Sequence, residues 1–325
     1  MENTCRVSKA INWRPGASID TLQKRAKILH TIRQFFADRD VMEVETPVFL
    51  RGAVTDPNLQ SLITLMQLPE EPEPVPVFAH TSPEYAMKRL LAAGSGSIYQ
   101  LAKVFRNGES GRYHNPEFTL LEWYRLDWSY HQLMDEVCEL LDQVVGEKPQ
   151  RYSMAELLDH YLKLDMMDLS AEKLQAVIQQ QGIDVSGIDL SADNLLDYLF
   201  DRCIVPHFQD QSFLVYDYPS FSAQLAQLSS ASPVVAERFE VYIQGVEIAN
   251  GYQELQDLAV HQQRFDTHLK SRELSDWPLD EKFLAAIDSG LPRCAGVALG
   301  VDRLCMVALN QSSIDAVIAF SAGRV

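Results

Sequence analysis

The stretch RYHNPEFTLLEWYR, Arg112 to Arg125, sets a His-Asn-Pro-Glu cluster directly against a run that reads as a buried strand. Side chains alternate between the two faces of a strand. Phe118, Leu120, Glu122 and Tyr124 therefore share one face, and Thr119, Leu121 and Trp123 the other. One face carries a ring, a carboxylate and a phenol in line. A carboxylate between aromatics on a central strand is unfavourable without a partner; the partner is either an arginine in an ordinary sheet or a cationic ligand. The preceding strand ends in VFRNGES, which puts Arg106 at the mouth of the same hairpin and His114 at the far end of its loop. An Arg and a His flanking a loop, with Phe118 one step beyond, suit a nucleotide: cations take phosphate oxygens and a ring stacks on the base.

The segment ERFEVYIQGVEIANGYQE spaces Glu240, Glu247 and Glu254 seven residues apart. Glu240 and Glu247 straddle a turn at Gln244-Gly245. Two carboxylates facing across a hairpin can hold Mg²⁺ and leave coordination positions for phosphate. Glu254 follows the turn residues Asn250-Gly251-Tyr252 and is available to a cationic ligand. On spacing alone, the three acids read equally as solvated surface groups in a chain rich in acids. GVALGVDR sets Arg303 in the first turn of a helix behind a strand flanked by Gly296 and Gly300, which allow close backbone approach. It matches neither common glycine-rich phosphate-loop pattern.

The elements that must position these groups are legible in outline. Ser18 caps a helix from about Ile19 to Asp40, with Leu22, Ala26, Leu29, Ile32 and Phe36 on an apolar stripe. VMEVETPVFL is a short strand interrupted by Pro47. Leu68–Val77 is a Pro/Glu-rich surface loop. TSPEYAMKRLLAAG is a helix, capped by Thr81 or Ser82 and stopped by Gly94. Tyr99–Arg106 and Phe118–Tyr124 are two strands joined by a long loop. Residues 130–228 read as mainly helical, an insertion without evident chemistry. A hairpin about Gly245, a helix from Gln256 to Arg272, and a glycine-flanked strand entering a final helix complete the chain. Hairpin-linked strands without regular β-α-β alternation predict an α+β domain with an antiparallel sheet. The expected organisation is a tail over 1–18 and one domain over 19–325 carrying the helical insertion at about 130–228.

With 325 residues, 46 % hydrophobic and 22 % charged, the chain supports a packed core. Its formal net charge of -17 argues against a protein whose main task is gripping a nucleic-acid backbone. Five cysteines, at 5, 138, 203, 294 and 305, include no C-x-x-C pair; they read as reduced thiols in a cytoplasmic protein. No membrane span or signal peptide is apparent.

Taken in order, these segments resemble the catalytic core of class II aminoacyl-tRNA synthetases, in particular the lysyl-type branch. The long helix followed by VETPVF is similar to motif 1, which implies a homodimer. VFRNGESGRYHNPEFTLLEWY is similar to motif 2 and GVALGVDRL to motif 3, while TSPEY and EIANGYQEL resemble lysyl-type segments. Only about 18 residues precede the motif 1 helix, too few for the anticodon-binding domain of a lysyl-tRNA synthetase. With the acidic net charge, this resembles the elongation factor P–(R)-β-lysine ligase family, which activates a lysine-type amino acid with ATP and transfers it to a lysine of elongation factor P.

The resemblance implies a set of roles. Arg106 clamps the α-phosphate; His114 and Arg303 reach the β- and γ-phosphates; Phe118 and Arg303 sandwich adenine. Asn107, Gly108, Asn115, Ile248 and Gly300 complete the ATP site, and Glu240 and Glu247 hold Mg²⁺. Ser82, Glu84, Glu122, Tyr124, Asn250, Glu254 and Ala298 form the amino-acid pocket. Arg106 and Arg303 are the catalytic pair, stabilising charge without a side-chain nucleophile. Gly108 stands where the motif normally has Glu, with the acid one place on at Glu109. Ala298 stands where lysyl-tRNA synthetases carry Gly, and its methyl is expected to favour a β-amino acid. A truncated lysyl-tRNA synthetase or another amino-acid ligase is one alternative. A non-catalytic regulatory subunit is a second, and would be expected to lack Arg106, Arg303 or the paired acids.

Overall fold

The computed structural model describes residues 12–187, 189–271 and 278–325. Cys5 and Arg272 lie outside the described residues. Helix α1, Ile19–Ala37, starts where the Ser18 side chain accepts from the Thr21 backbone N–H at 3.0 Å. Its buried side runs through Thr21, Ile32, Phe35 and Phe36, whereas Ala26 faces outward. Pro47 does split the following segment, into β1, Met42–Glu43, and β2, Phe49–Leu50. Strands β3, Ile63–Met66, and β4, Val75–Ala79, join β2 in a small sheet of order β2-β4-β3. The Pro/Glu-rich segment is thus a loop only up to residue 74. Pro76 is tolerated in β4 because β2 pairs only with Phe78 and Ala79, so no hydrogen bond is lost at its missing N–H.

Helix α2, Glu84–Ala92, has Pro83 at its N-terminal boundary and no side-chain N-cap bond of the kind expected from Thr81 or Ser82; the Ser82 hydroxyl instead accepts from the Glu84 N–H at 3.3 Å. Strands β5, Ile98–Phe105, and β6, Glu117–Leu126, form the hairpin that carries the opening motif. Residues 130–228 then hold α3, Tyr130–Val145, β7, Gln150–Ser153, α4, Met154–Leu162, α5, Ala171–Gln180, α6, Ala192–Leu199, and β8, Ser212–Pro219. The reading of this segment as mainly helical missed the two strands. An apolar run such as Phe213–Val215, buried on both faces, has no period-two signature to separate it from a helix. Strands β9, Val235–Ile243, and β10, Val246–Gln253, turn at Gln244 and Gly245, both at positive φ (52° and 73°). That turn geometry matches strand twist, and glycine adopts it without strain. Helices α7, Leu258–Ser271, and α8, Glu281–Asp288, precede β11, Cys294–Gly300, and α9, Val301–Ala308.

Eight strands form the main sheet in the order β1-β5-β6-β11-β10-β9-β8-β7. Neighbours are antiparallel except at the edges, where β1 runs parallel to β5 and β7 parallel to β8. Helices α1, α3 and α9 bury one face of the sheet: Phe36 stacks on Tyr99 at 4.3 Å and packs edge-on to Trp123. A second apolar core joins α4, α5 and α6 to β8 and β9, and a third joins α2, α7 and α8. The opposite face of the central strands is left open.

Candidate active site

That open face is the floor of a cavity of about 460 Å³. Strand pairing lays one row of side chains across five strands: Glu240, Asn250, Ala298, Glu122 and Gln100 are successive partners on β9, β10, β11, β6 and β5. One step along, Arg238, Tyr252, Gly296, Tyr124 and Ile98 form the next row. From this face the central strand offers the cavity the small residues Gly296, Ala298 and Gly300. A Cβ at Gly296 would stand 2.4 Å from Glu254 Oε1 and from the Tyr124 ring, so the close packing here excludes any side chain.

At one end of the floor the acids gather. Glu122 is buried; one oxygen accepts from the Tyr124 hydroxyl at 2.6 Å, and Oε2 has no partner. Burial, reinforced by Glu84, pushes its carboxyl up to about 8. Glu254 is pushed up to about 7 by burial, opposed by the Lys88 ammonium. Lys88, wholly buried, lies 2.6 Å from both Glu84 and Glu254. The lysine was not singled out in the sequence, where a Lys in an amphipathic helix reads as a surface group. The Asn250 amide donates to Glu240 Oε1 at 3.2 Å, and its own Oδ1 is buried without a partner. Ser82 lines the cavity at the start of α2.

The other end is cationic. Arg303 reaches from α9 to the Glu247 carbonyl (2.9 Å), the Glu247 carboxylate (3.4 Å), the Tyr113 carbonyl (3.4 Å) and His114 Nε2 (2.7 Å). Burial and the Arg303 charge lower the His114 pKa, which favours a neutral imidazole that accepts from the guanidinium. The Arg106 guanidinium lies 5.1 Å from the centre of the Phe118 ring, its Nε buried without a partner. Its acid neighbour is Glu109, at 3.9 Å. The acid of the departing motif therefore does turn back toward the site.

Not every expected residue reaches the cavity in the same way. Asn107 and Gly108 are exposed in the loop and absent from the lining, with Gly108 at a φ of 81°. Asn115 lines the cavity, but its amide is already engaged, donating to the Glu117 carbonyl and accepting from the Ala322 N–H. Ile248 lines the cavity while also belonging to the apolar core. Gly300 leaves an added Cβ with only ordinary contacts, the nearest 3.8 Å away. Asp197, on α6, also lines the cavity; the segment 130–228 thus contributes to a site from which its sequence gave no reason to expect it.

Glu240 and Glu247 are not direct partners: Glu247 pairs with Tyr242, and a bulge separates it from Ala249. Both Glu240 oxygens accept protein donors, from Arg238, Asn250 and Tyr242. Glu247 has a raised pKa from burial and from Glu240, repulsion that a cation would relieve. Among the described residues no three His, Cys, Asp or Glu side chains form a metal cage. The donor set suits an ion that arrives with phosphate ligands of its own.

An antiparallel core, a nucleotide-sized cavity with arginines at one end, and acids at the other define a class II synthetase site, and the comparisons agree. The chain matches the family tRNA synthetases class II (D, K and N) over residues 2–324 and belongs to it. Within that class it belongs with the elongation factor P–(R)-β-lysine ligases. It is 45 % identical over 324 residues to the one from Pectobacterium carotovorum, covering 98 % of this chain and all of the relative. Identity to that of Proteus mirabilis is 45 % over 326 residues (98 % and 100 %), and to that of Haemophilus ducreyi 46 % over 319 (97 % of each). The chain is thus a ligase of this family. Among the described residues no helix is long and apolar enough to cross a membrane.

Proposed function

We propose that this ligase activates a lysine-type amino acid, (R)-β-lysine by preference, with ATP, and joins it to a lysine side chain of elongation factor P. One observation carries the reading. The same cavity holds buried acceptors without partners, Glu122 Oε2 and Asn250 Oδ1, and a buried donor without one, Arg106 Nε. Orphaned buried groups are costly unless a ligand completes them. The acceptors call for ammonium groups, and the donor calls for an anion.

In the first step a substrate carboxylate oxygen attacks the α-phosphorus, the bond to the bridging oxygen breaks, and pyrophosphate leaves. In the second, the acceptor amine attacks the adenylate carbonyl, AMP leaves with the bonding pair, and the amine loses its proton. Arg106 stabilises the charge that develops at the α-phosphate. Arg303 and His114 hold the outer phosphates, with Phe118 as the stacking surface for adenine. Glu122, Tyr124, Asn250, Glu84 and Ser82 orient the amino acid, so positioning contributes much of the rate. Mg²⁺, when bound with the nucleotide at Glu247 and Glu240, supplies charge neutralisation. Ala298, between Asn250 and Glu122 in the five-strand row, projects a methyl between the groups that meet the ammonium.

The net charge of -17 favours a protein acceptor over tRNA. Exposed Met42, Phe49, Ile63 and Leu65 on β1, β2 and β3 support a homodimer through this side. Unbridged thiols at Cys138, Cys203, Cys294 and Cys305 fit a cytoplasmic enzyme. The test incubates the protein with ATP, Mg²⁺, each lysine isomer and elongation factor P, and reads the acceptor by intact mass. A mass increase of one lysyl residue, larger in yield with (R)-β-lysine, is expected. Charging of tRNA with no mass shift on the factor would overturn the assignment.

A further inference from the structure

Glu84 and Lys88 are one helical turn apart on α2, where side chains four residues apart meet. Glu254 closes on the same ammonium from the end of β10, at 2.6 Å. Two of the pocket's three carboxylates therefore already face a cation supplied by the chain itself. Lys88 is fully buried, so its ammonium is enclosed by these partners rather than offered to a ligand. Burial disfavours its charge, but Glu254 and Glu84 more than offset this and hold it protonated. The third carboxylate, Glu122, keeps an oxygen without a partner.

The other groups around the lysine add no charge. His261, on α7, is wholly buried and pushed down to about 4 by burial and by Lys88, so its ring is neutral. Burial also holds the Cys294 thiol and the Tyr85, Tyr124 and Tyr252 phenols protonated. Arg264 is turned away to the carbonyls of Gln224 and Ala226, and Arg238 is paired with Glu240. Three carboxylates with one internal ammonium leave two negative charges when all are ionised. A diamino acid presents two ammonium groups.

We infer that Lys88 is a built-in counter-ion that limits the charge of the fully ionised amino-acid pocket to two negative, matching it to a ligand with two ammonium groups. This rests on the proposed reading of the pocket as the diamino-acid site. Lys88 is a positioning residue: it acts through Glu84, Glu254 and Glu122 and does not touch the substrate. In the ligand-free pocket Glu122 holds a proton near neutrality, which an arriving ammonium displaces.

Two experiments test it. Calorimetry of the whole protein with ATP and lysine or (R)-β-lysine, near pH 7 in buffers of different ionisation enthalpy, should show release of roughly one proton per ligand bound. The variant Lys88→Met removes the cation that lowers the Glu122 and Glu254 pKa values. The acid limb of kcat/KM for the amino acid should move up by about one pH unit. At pH 7 the amino-acid KM should rise about tenfold, while the KM for ATP stays within about twofold. Normal binding without proton release, or an unshifted acid limb, overturns the role of Lys88 alone. If Lys88→Met does not fold, the calorimetry on the unaltered protein decides. Unaltered protein that binds neither lysine isomer overturns the pocket reading and the role of Lys88 with it.

Discussion

The Arg25 guanidinium on α1 lies 2.6 Å from the Asp302 carboxylate in the first turn of α9. Asp302 also accepts from the Thr119 backbone N–H at 2.7 Å, and Arg25 donates to the Thr119 hydroxyl at 3.1 Å. Three segments remote in sequence are thus tied behind the floor of the site, one residue from both Phe118 and Arg303. Removing one partner of a buried pair leaves an uncompensated charge. Arg25→Met should lower unfolding stability by about 3 kcal/mol, read as a lower denaturant midpoint at unchanged slope. A midpoint within error of the parent protein would show the pair to be dispensable.

Arg106 makes few contacts that hold the fold together. Its acid neighbour is 3.9 Å away and its Nε is unpartnered. Arg106→Ala should therefore reduce amino-acid-dependent pyrophosphate exchange by about 10²–10³-fold while shifting the melting temperature little. A large drop in stability with a proportionate drop in rate would reassign Arg106 to a structural role.

Glu122 links pH to stability in the direction opposite to most carboxylates. Its pKa rises from 4.5 to about 8 on folding. The folded chain keeps a proton that the unfolded chain has released, so its stabilising effect is full below 4.5 and is lost as pH rises through about 8. Glu122→Gln should make the ligand-free protein more stable at about pH 8–9, by on the order of 2 kcal/mol, and flatten that slope. The same variant should lose amino-acid activation. Equal stability of the two proteins at high pH would refute the assignment of the buried proton.

The methyl of Ala298 sits in the row between Asn250 and Glu122. Ala298→Gly removes it and should shift the ratio of adenylation rates from (R)-β-lysine toward α-lysine, by roughly tenfold for a small change of pocket volume. An unchanged ratio would sink the idea that this carbon sets isomer preference.

Glu247 carries a raised pKa and meets Arg303 at 3.4 Å. Chelation by EDTA should abolish adenylation, and Glu247→Gln should raise the Mg²⁺ concentration for half-maximal rate several-fold. A variant with unaltered Mg²⁺ dependence would remove Glu247 from the metal's ligands.

The site was legible where chemistry and strand alternation coincide. Phe118, Glu122 and Tyr124 could be set on one face of β6 from period two alone, and the Gln244-Gly245 turn announced its hairpin. Register was not legible: that Glu122, Ala298, Asn250 and Glu240 form one row depends on how four strands align, and no single segment encodes this. Lys88 was hidden because its burial arises from Glu254, far along the chain and brought in by β10. Asp197 was hidden because α6 shows only helical periodicity, which says nothing about which cavity its polar side faces. Strand β8 was missed for a related reason, since an apolar run buried on both faces carries no alternation, and β7, Gln150–Ser153, is a short polar edge strand without a hydrophobic pattern.

Strand β6 also fixes a length. Phe118 and Glu122 are four residues apart on it, about 13 Å at the rise of an extended strand; β5 pairs along the whole span and β11 flanks it from Leu120 onward. With the base on Phe118 and the ammonium at Glu122, as proposed, the sheet would act as a ruler between them. A diamino acid one methylene shorter can satisfy Glu122 yet leave its carboxylate held back from the phosphorus, where a misplacement of 1 Å costs about 10²-fold in rate. Chain length would then be judged during turnover rather than at the door: the shorter molecule would bind and occupy the pocket without being activated.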